Sequence, residues 1–154
     1  MIIEIFIFLQ IFLFLLMIVH DWVSLYPLND IAILRKYHSK RELFMGSCIN
    51  GSMVMIPLLI SLYGYMHIFT QSMTLIMVAL YGILTVGTMC VWWIPYIFGS
   101  SDAHKSGFKE YSNTHHFLPS RGTNLIPNSL HVIIHIHIWV AFFMSIYLFL
   151  KTVF

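Results

Sequence analysis

The charged side chains of this 154-residue chain are confined to a few places, and this limits how the chain can fold. Apart from Glu4 and Lys151, every Lys, Arg, Asp and Glu lies in one of two segments, residues 20–42 and 99–124. A helix needs about 20 mostly apolar residues to cross the ~30 Å hydrocarbon core of a bilayer. The stretches between the charges therefore predict four transmembrane helices, over about residues 2–19, 43–65, 72–94 and 127–150.

The overall composition excludes two other classes of protein. Hydrophobic residues make up 59% of the chain and charged residues only 9%, whereas a soluble domain carries about 25% charged residues. A disordered chain is excluded because 16% of the residues are aromatic. We therefore predict an all-α polytopic membrane protein, in which residues 1–154 form a single four-helix transmembrane domain. The helices make a compact bundle with two longer cytoplasmic loops.

The distribution of Lys and Arg predicts the orientation of this bundle. Seven of the eight lie in the two charged segments, and Lys151 is the exception. Because cytoplasmic loops carry an excess of Lys and Arg, we expect loops 20–42 and 99–124 to be cytoplasmic in a multi-pass cell-membrane protein. Both termini are then external. The expected partner is the lipid bilayer, and the sequence leaves open whether the chain forms a homo-oligomer. The net charge of +2 is too small to predict binding to nucleic acid.

Prolines and capping residues suggest where the helices end. Pro27 and Pro95 follow the first and third spans as helix stops, and Pro127 suits the first turn of the fourth. Asn29 or Asp30 is suited to cap a short interfacial helix before the second span. A further short helix is expected within residues 102–111, in the second charged loop.

Nine histidines are unusual in a chain of this length, and three groupings are candidates for a metal site. His131 and His135 are spaced i and i+4, so their rings share one helix face. His115 and His116 lie in the loop that leads to the same helix. His20 is followed by Asp21 at the end of the first span. Together these six residues predict a zinc or iron centre in a polar pocket at the cytoplasmic face, because imidazole and carboxylate groups bind such metals.

The alternative is that these histidines are ordinary interfacial and packing residues, neutral and hydrogen-bonded. The chain has no HExxH motif of the zinc proteases, and it lacks the HxxHH boxes of membrane desaturases and hydroxylases. His137 points about 160° away from His135 on an ideal helix. We therefore expect His137 to make a hydrogen-bonding contact to another span instead of joining the site.

Three classes of function remain open from the sequence. The first is a small membrane enzyme with a cytoplasmic site. The second is an oligomeric transporter or channel subunit, although the spans lack the core Asp, Glu, Lys or Arg that such carriers usually keep. The third is a non-catalytic accessory, assembly or immunity protein, which the small size and the lack of a complete catalytic motif favour. A histidine-rich polar pocket at the cytoplasmic face is the leading site hypothesis.

Overall fold

A computed structural model describes all residues 1–154 and contains only helices, turns and irregular segments. Four long helices are long and apolar enough to cross a membrane, which confirms the predicted all-helical class with four apolar helices. They are α1 (Ile2–Val19), α3 (Lys40–Met66), α4 (Gln71–Phe98) and α6 (Ser129–Val153). Two short helices, α2 (Ile31–Tyr37) and α5 (Asp102–Ser106), and a 3₁₀ turn (Lys109–Tyr111) lie in the connections.

Side-chain caps explain where several of these helices begin. The Asp30 carboxylate accepts a hydrogen bond from the Ile33 amide at the start of α2. Asp30 is thus the one of the two predicted residues that caps this helix. Ser39 and Glu42 form a capping box at the start of α3, with each side chain accepting from the other residue's backbone amide. These caps pair N–H groups that the first turn of a helix leaves without a backbone partner.

The four long helices form a closed ring. Helix α1 packs against α3, α3 against α4, α4 against α6, and α6 back against α1. Their facing sides build one hydrophobic core, which includes Phe6 and Leu13 of α1, Val54 of α3, Tyr81 of α4 and Ile138 of α6. The outward sides expose large apolar side chains from all four helices, which suits contact with lipid chains.

Pro95 lies inside α4, so the expectation that it ends the third span was wrong. The helix passes through a π-helical turn over Met89–Trp93 and continues to Phe98. Proline has no N–H for the carbonyl four residues earlier, which here belongs to Val91. The Val91 oxygen instead pairs with Nε2 of His104, at 3.0 Å. A side chain from α5 thus replaces the missing backbone hydrogen bond, and the helix runs on.

The start of α6 also differs from the expectation. Pro127 lies one residue before the helix cap instead of in the first turn, and Asn128 is the capping residue. The Asn128 side chain accepts a hydrogen bond from the His131 amide at 2.9 Å. In the second charged loop, the short helix expected within residues 102–111 is divided into α5 and the 3₁₀ turn.

The two long connections contact each other at one end of the bundle, which we call the loop end. The His115 amide donates to the Pro27 oxygen at 2.8 Å, and the Asn128 amide group donates to the Leu28 oxygen at 3.1 Å. The connection after α1 is therefore held against the segment that leads into α6. This contact fixes the polar residues of both connections over the end of the helix ring.

Candidate functional site

Three imidazole rings meet at the loop end, and we call them the histidine cluster: His20, His131 and His135. His20 directly follows α1, and the other two lie one turn apart near the start of α6. The ring centroids of His20 and His131 are 6.1 Å apart, and those of His131 and His135 are 6.0 Å apart. The i, i+4 spacing in the sequence therefore predicted one pair correctly, and packing of α1 against α6 adds the third ring.

Hydrogen bonds to Nδ1 define the proton positions on two of these rings. Nδ1 of His20 donates to the carbonyl oxygens of Leu16 and Met17 in the last turn of α1, at 3.0 and 3.1 Å. Nδ1 of His131 donates to the Asn128 side-chain oxygen at 2.7 Å. A neutral imidazole carries one N–H. In its neutral form each of these rings therefore presents Nε2 as a hydrogen-bond acceptor.

His135 has the opposite arrangement. The indole Nε1–H of Trp93 can only donate, and it lies 3.1 Å from Nδ1 of His135. Nδ1 must therefore be the acceptor, and the proton of the neutral ring is on Nε2. His135 is buried, with 2% of its surface exposed. The histidine cluster thus offers one Nε2 donor, on His135, next to one Nε2 acceptor, on His131.

Asp21 lies against His20, with Oδ1 3.2 Å from Nε2. Burial raises the pKa of the Asp21 carboxyl above its ordinary value, and the charges of His20 and His38 act in the opposite direction. The carboxyl group and the imidazole can share one proton, either as a neutral pair or as an ion pair, and both forms have no net charge. His20 and Asp21 are therefore in direct contact, as expected from their adjacent positions in the sequence.

A small enclosed cavity of about 10 Å³ lies on the loop side of this pair, which is about the space that one water molecule requires. Glu110 closes it from the second connection and is almost fully buried, with Oε1 2.9 Å from Nε2 of His38. Tyr111 lines the same cavity. Burial raises the pKa of the Tyr111 hydroxyl, and the charges of Asp21 and Glu110 add to the effect, so the phenol stays protonated.

A much larger cavity, of about 540 Å³, lies on the side of the histidine cluster that faces the helix bundle, among all four long helices. We call it the bundle cavity. Most of its lining is apolar, and its polar groups are the three cluster imidazoles with Asn50 and Thr88. The largely exposed side chains of Ile49 and Ile83 are part of its wall. The bundle cavity therefore opens to the outer surface of the bundle between α3 and α4.

Tyr111 of the second connection contacts the His131 ring directly, with centroids 4.8 Å apart, while Trp92 lies between His131 and Phe108. The Trp92 ring is 6% exposed and contacts His131, with centroids 4.4 Å apart, and Phe108, at 4.7 Å. Tyr111 completes this aromatic wall at 5.5 Å from Trp92. Trp92 and Trp93 were not among the site residues predicted from the sequence. The adjacent Trp pair at the polar end of a span is the signal that could have indicated their role.

His115 and His116 are separate from the cluster and make other hydrogen bonds. Nδ1 of His115 is 2.7 Å from the Ser129 hydroxyl. The two ring nitrogens of His116 lie 3.2 and 3.0 Å from the carbonyl oxygens of Pro127 and Tyr111. The two rings thus form hydrogen bonds within the second connection and to the first residue of α6. Of the six predicted ligands, the structure brings together His20, Asp21, His131 and His135.

No three His, Cys, Asp or Glu side chains are arranged so that they could hold a metal ion. The Trp93 hydrogen bond also leaves Nε2 of His135 protonated, and a metal ligand needs a free lone pair on nitrogen. The zinc or iron centre therefore stays a prediction from sequence.

His137 lies outside the cluster, as its angle on the helix predicts. Its ring packs on Phe12 of α1, with centroids 4.9 Å apart. Its hydrogen bond goes to the Ile133 oxygen of its own helix, at 2.7 Å, so the expected hydrogen bond to another span was wrong.

The chain matches no known protein family, no characterised protein and no solved structure.

Proposed function

We propose that α1, α3, α4 and α6 cross the cell membrane, with both termini outside and the loop end in the cytoplasm. The distribution of Lys and Arg supports this orientation, because seven of eight lie within residues 20–42 and 99–124, at the loop end. The turn between α3 and α4 has none. Contact between the two connections supports it further, since both then belong to the same side of the membrane.

Cysteine labelling tests this orientation. Cys48 and Cys90 are replaced by serine, and one new cysteine is introduced at either Thr70 or Ser106. We expect a membrane-impermeant maleimide added to intact cells to label position 70 and not position 106. After the cells are broken, both positions should react. Labelling of position 106 alone in intact cells would invert the orientation.

We further propose that the protein binds a membrane-soluble molecule with a hydroxyl head group in the bundle cavity. The observation that carries this proposal is an apolar cavity of about 540 Å³ with a donor and an acceptor imidazole in its wall. Ligand sites are typically ~300–1,000 Å³, mostly apolar, with a few polar groups that orient the ligand. The bundle cavity agrees with each of these properties.

The protonation of the two rings favours a hydroxyl over other head groups. Nε2–H of His135 would donate to the hydroxyl oxygen, and the hydroxyl hydrogen would be donated to Nε2 of His131. Two hydrogen bonds of about 2.8 Å through one oxygen bridge nitrogens that are about 4.5–5.6 Å apart, and the two ring centroids are 6.0 Å apart. A carbonyl or an ether oxygen would pair with His135 alone and leave His131 without a donor. The proposed ligands are therefore lipophilic alcohols or phenols.

Photoaffinity labelling of the full-length protein in phosphatidylcholine nanodiscs tests this proposal. The probe is a dodecanol analogue with a diazirine on its alkyl chain. We expect labelled peptides from residues 49–53 of α3 and 83–91 of α4, which line the bundle cavity. Unlabelled dodecanol should compete with the probe at least about tenfold better than dodecyl methyl ether. The ether has no hydroxyl hydrogen, so it loses the hydrogen bond to His131 and leaves this buried acceptor without a donor.

The His135→Phe variant should lose the labelling, and His137→Phe is its matched control. Both changes remove an imidazole from α6, but His137 packs on the outside of the cluster against Phe12. Far-UV circular dichroism and the thermal midpoint show whether each variant is folded. Equal competition by alcohol and ether would contradict the proposal. So would a transition metal that is bound one per chain in the wild type and lost in His131→Ala, which would favour the metal centre instead.

A further inference from the structure

A second pocket, of about 300 Å³, lies in the connection between α4 and α6, on the other side of the aromatic wall from the bundle cavity. We call it the basic pocket. Lys105 of α5 and Lys109 of the 3₁₀ turn line it together with His116. Hydroxyl and amide groups complete its polar lining, from Ser112, Thr123 and Asn124. The function proposed above uses none of these side chains.

No carboxylate lines the basic pocket to balance its positive charges. Glu110 is next to Lys109 in sequence, but its side chain is buried on the opposite side of the turn against His38. Asp102 is 4.0 Å from Lys105 and is fully exposed, so solvent weakens this contact. Lys105 is instead held at the pocket by a hydrogen bond to the Thr123 hydroxyl, at 3.3 Å.

His116 also lines the basic pocket, but its ring nitrogens are used within the chain. They lie 3.2 and 3.0 Å from the carbonyl oxygens of Pro127 and Tyr111. The cations of the basic pocket are therefore the two lysines, Lys105 and Lys109.

We infer that the basic pocket binds a phosphate group. Two ammonium groups in one concave site without a carboxylate attract an anion, and hydrogen bonds between charged donors and phosphate oxygens are short and strong. The Thr123 hydroxyl accepts from Lys105, so its own hydrogen can be donated to a further phosphate oxygen. Two sources share this chemistry, a soluble phosphate and the phosphate head group of a membrane lipid, since the anionic inner leaflet attracts such basic segments.

Two matched pairs of probes distinguish the sources, with the full-length protein in phosphatidylcholine nanodiscs. Inorganic phosphate is titrated by calorimetry, with chloride as the control anion. Phosphatidic acid is compared with diacylglycerol of the same acyl chains, by the amount of lipid that native mass spectrometry finds retained on the protein. We expect binding of inorganic phosphate, retention of phosphatidic acid over diacylglycerol, or both.

The double variant Lys105→Gln/Lys109→Gln should weaken the observed binding at least about tenfold, since it removes two charged donors. Arg35→Gln/Lys36→Gln is the matched control, because these cations of α2 do not line the basic pocket. Both double variants change exposed or half-buried side chains, and thermal midpoints check their folding. Loss of phosphate binding in Lys105→Gln/Lys109→Gln alone supports the inference. Binding of neither phosphate probe, or equal loss in both variants, would overturn it.

Discussion

Replacing Asn128 by alanine should destabilise the protein by about 4 kcal/mol, because this one side chain joins three segments at the loop end. It caps α6 by accepting from the His131 amide, and its oxygen also accepts from Nδ1 of His131. Its amide group donates to the Leu28 oxygen and to the Thr114 hydroxyl, both at 3.1 Å. Asn128 has no exposed surface, so water cannot replace these partners.

The expected size follows from two contributions. Loss of a helix cap costs about 1 kcal/mol, and each buried polar group left without a partner costs about 1–3 kcal/mol. Thr70→Ala is the matched control, because Thr70 caps α4 with one hydrogen bond at an exposed position; its cost should be about 1 kcal/mol. Denaturant titrations in mixed micelles, followed by tryptophan fluorescence, measure both. Similar losses of stability in the two variants would contradict the conclusion that Asn128 joins three segments at the loop end.

The sequence predicted the four apolar helices well because helices that are suited to lipid follow a simple rule. Charges stay out of the hydrocarbon, so the gaps between charges locate apolar helices directly. The first span was predicted at its observed limits, Ile2–Val19. The third was predicted too short, because Pro95 normally ends a helix. Its continuation depends on His104, nine residues later, and a contact of this kind cannot be read from local pattern.

The site was only partly predictable, for a related reason. The spacing of His131 and His135 follows from helix geometry, but the approach of His20 depends on how α1 packs against α6. His115 and His116 are close to α6 in sequence, yet their rings are used to fold the connection onto itself. The proton positions depend on Trp93 and Asn128, which are partners that a count of histidines does not reveal.

The Trp92→Ala substitution should lower the free energy of unfolding by about 3–5 kcal/mol, the usual cost of removing a large aromatic side chain from a packed site. The ring fills the space between His131 and Phe108, and no neighbouring side chain is positioned to replace it. Trp92→Phe, the matched control, keeps a ring there and should cost about half as much or less.

Trp92 also lines the bundle cavity, while Phe108, its neighbour in the wall, lines the basic pocket. Removing the indole should therefore enlarge the bundle cavity towards the second connection. We expect Trp92→Ala to weaken competition by dodecanol in the photolabelling assay, and Trp92→Phe to preserve it. Denaturant titration of both variants, with circular dichroism as the signal, gives the stabilities. Equal stability of Trp92→Ala and the wild type would mean that the aromatic wall does not hold the loop end together.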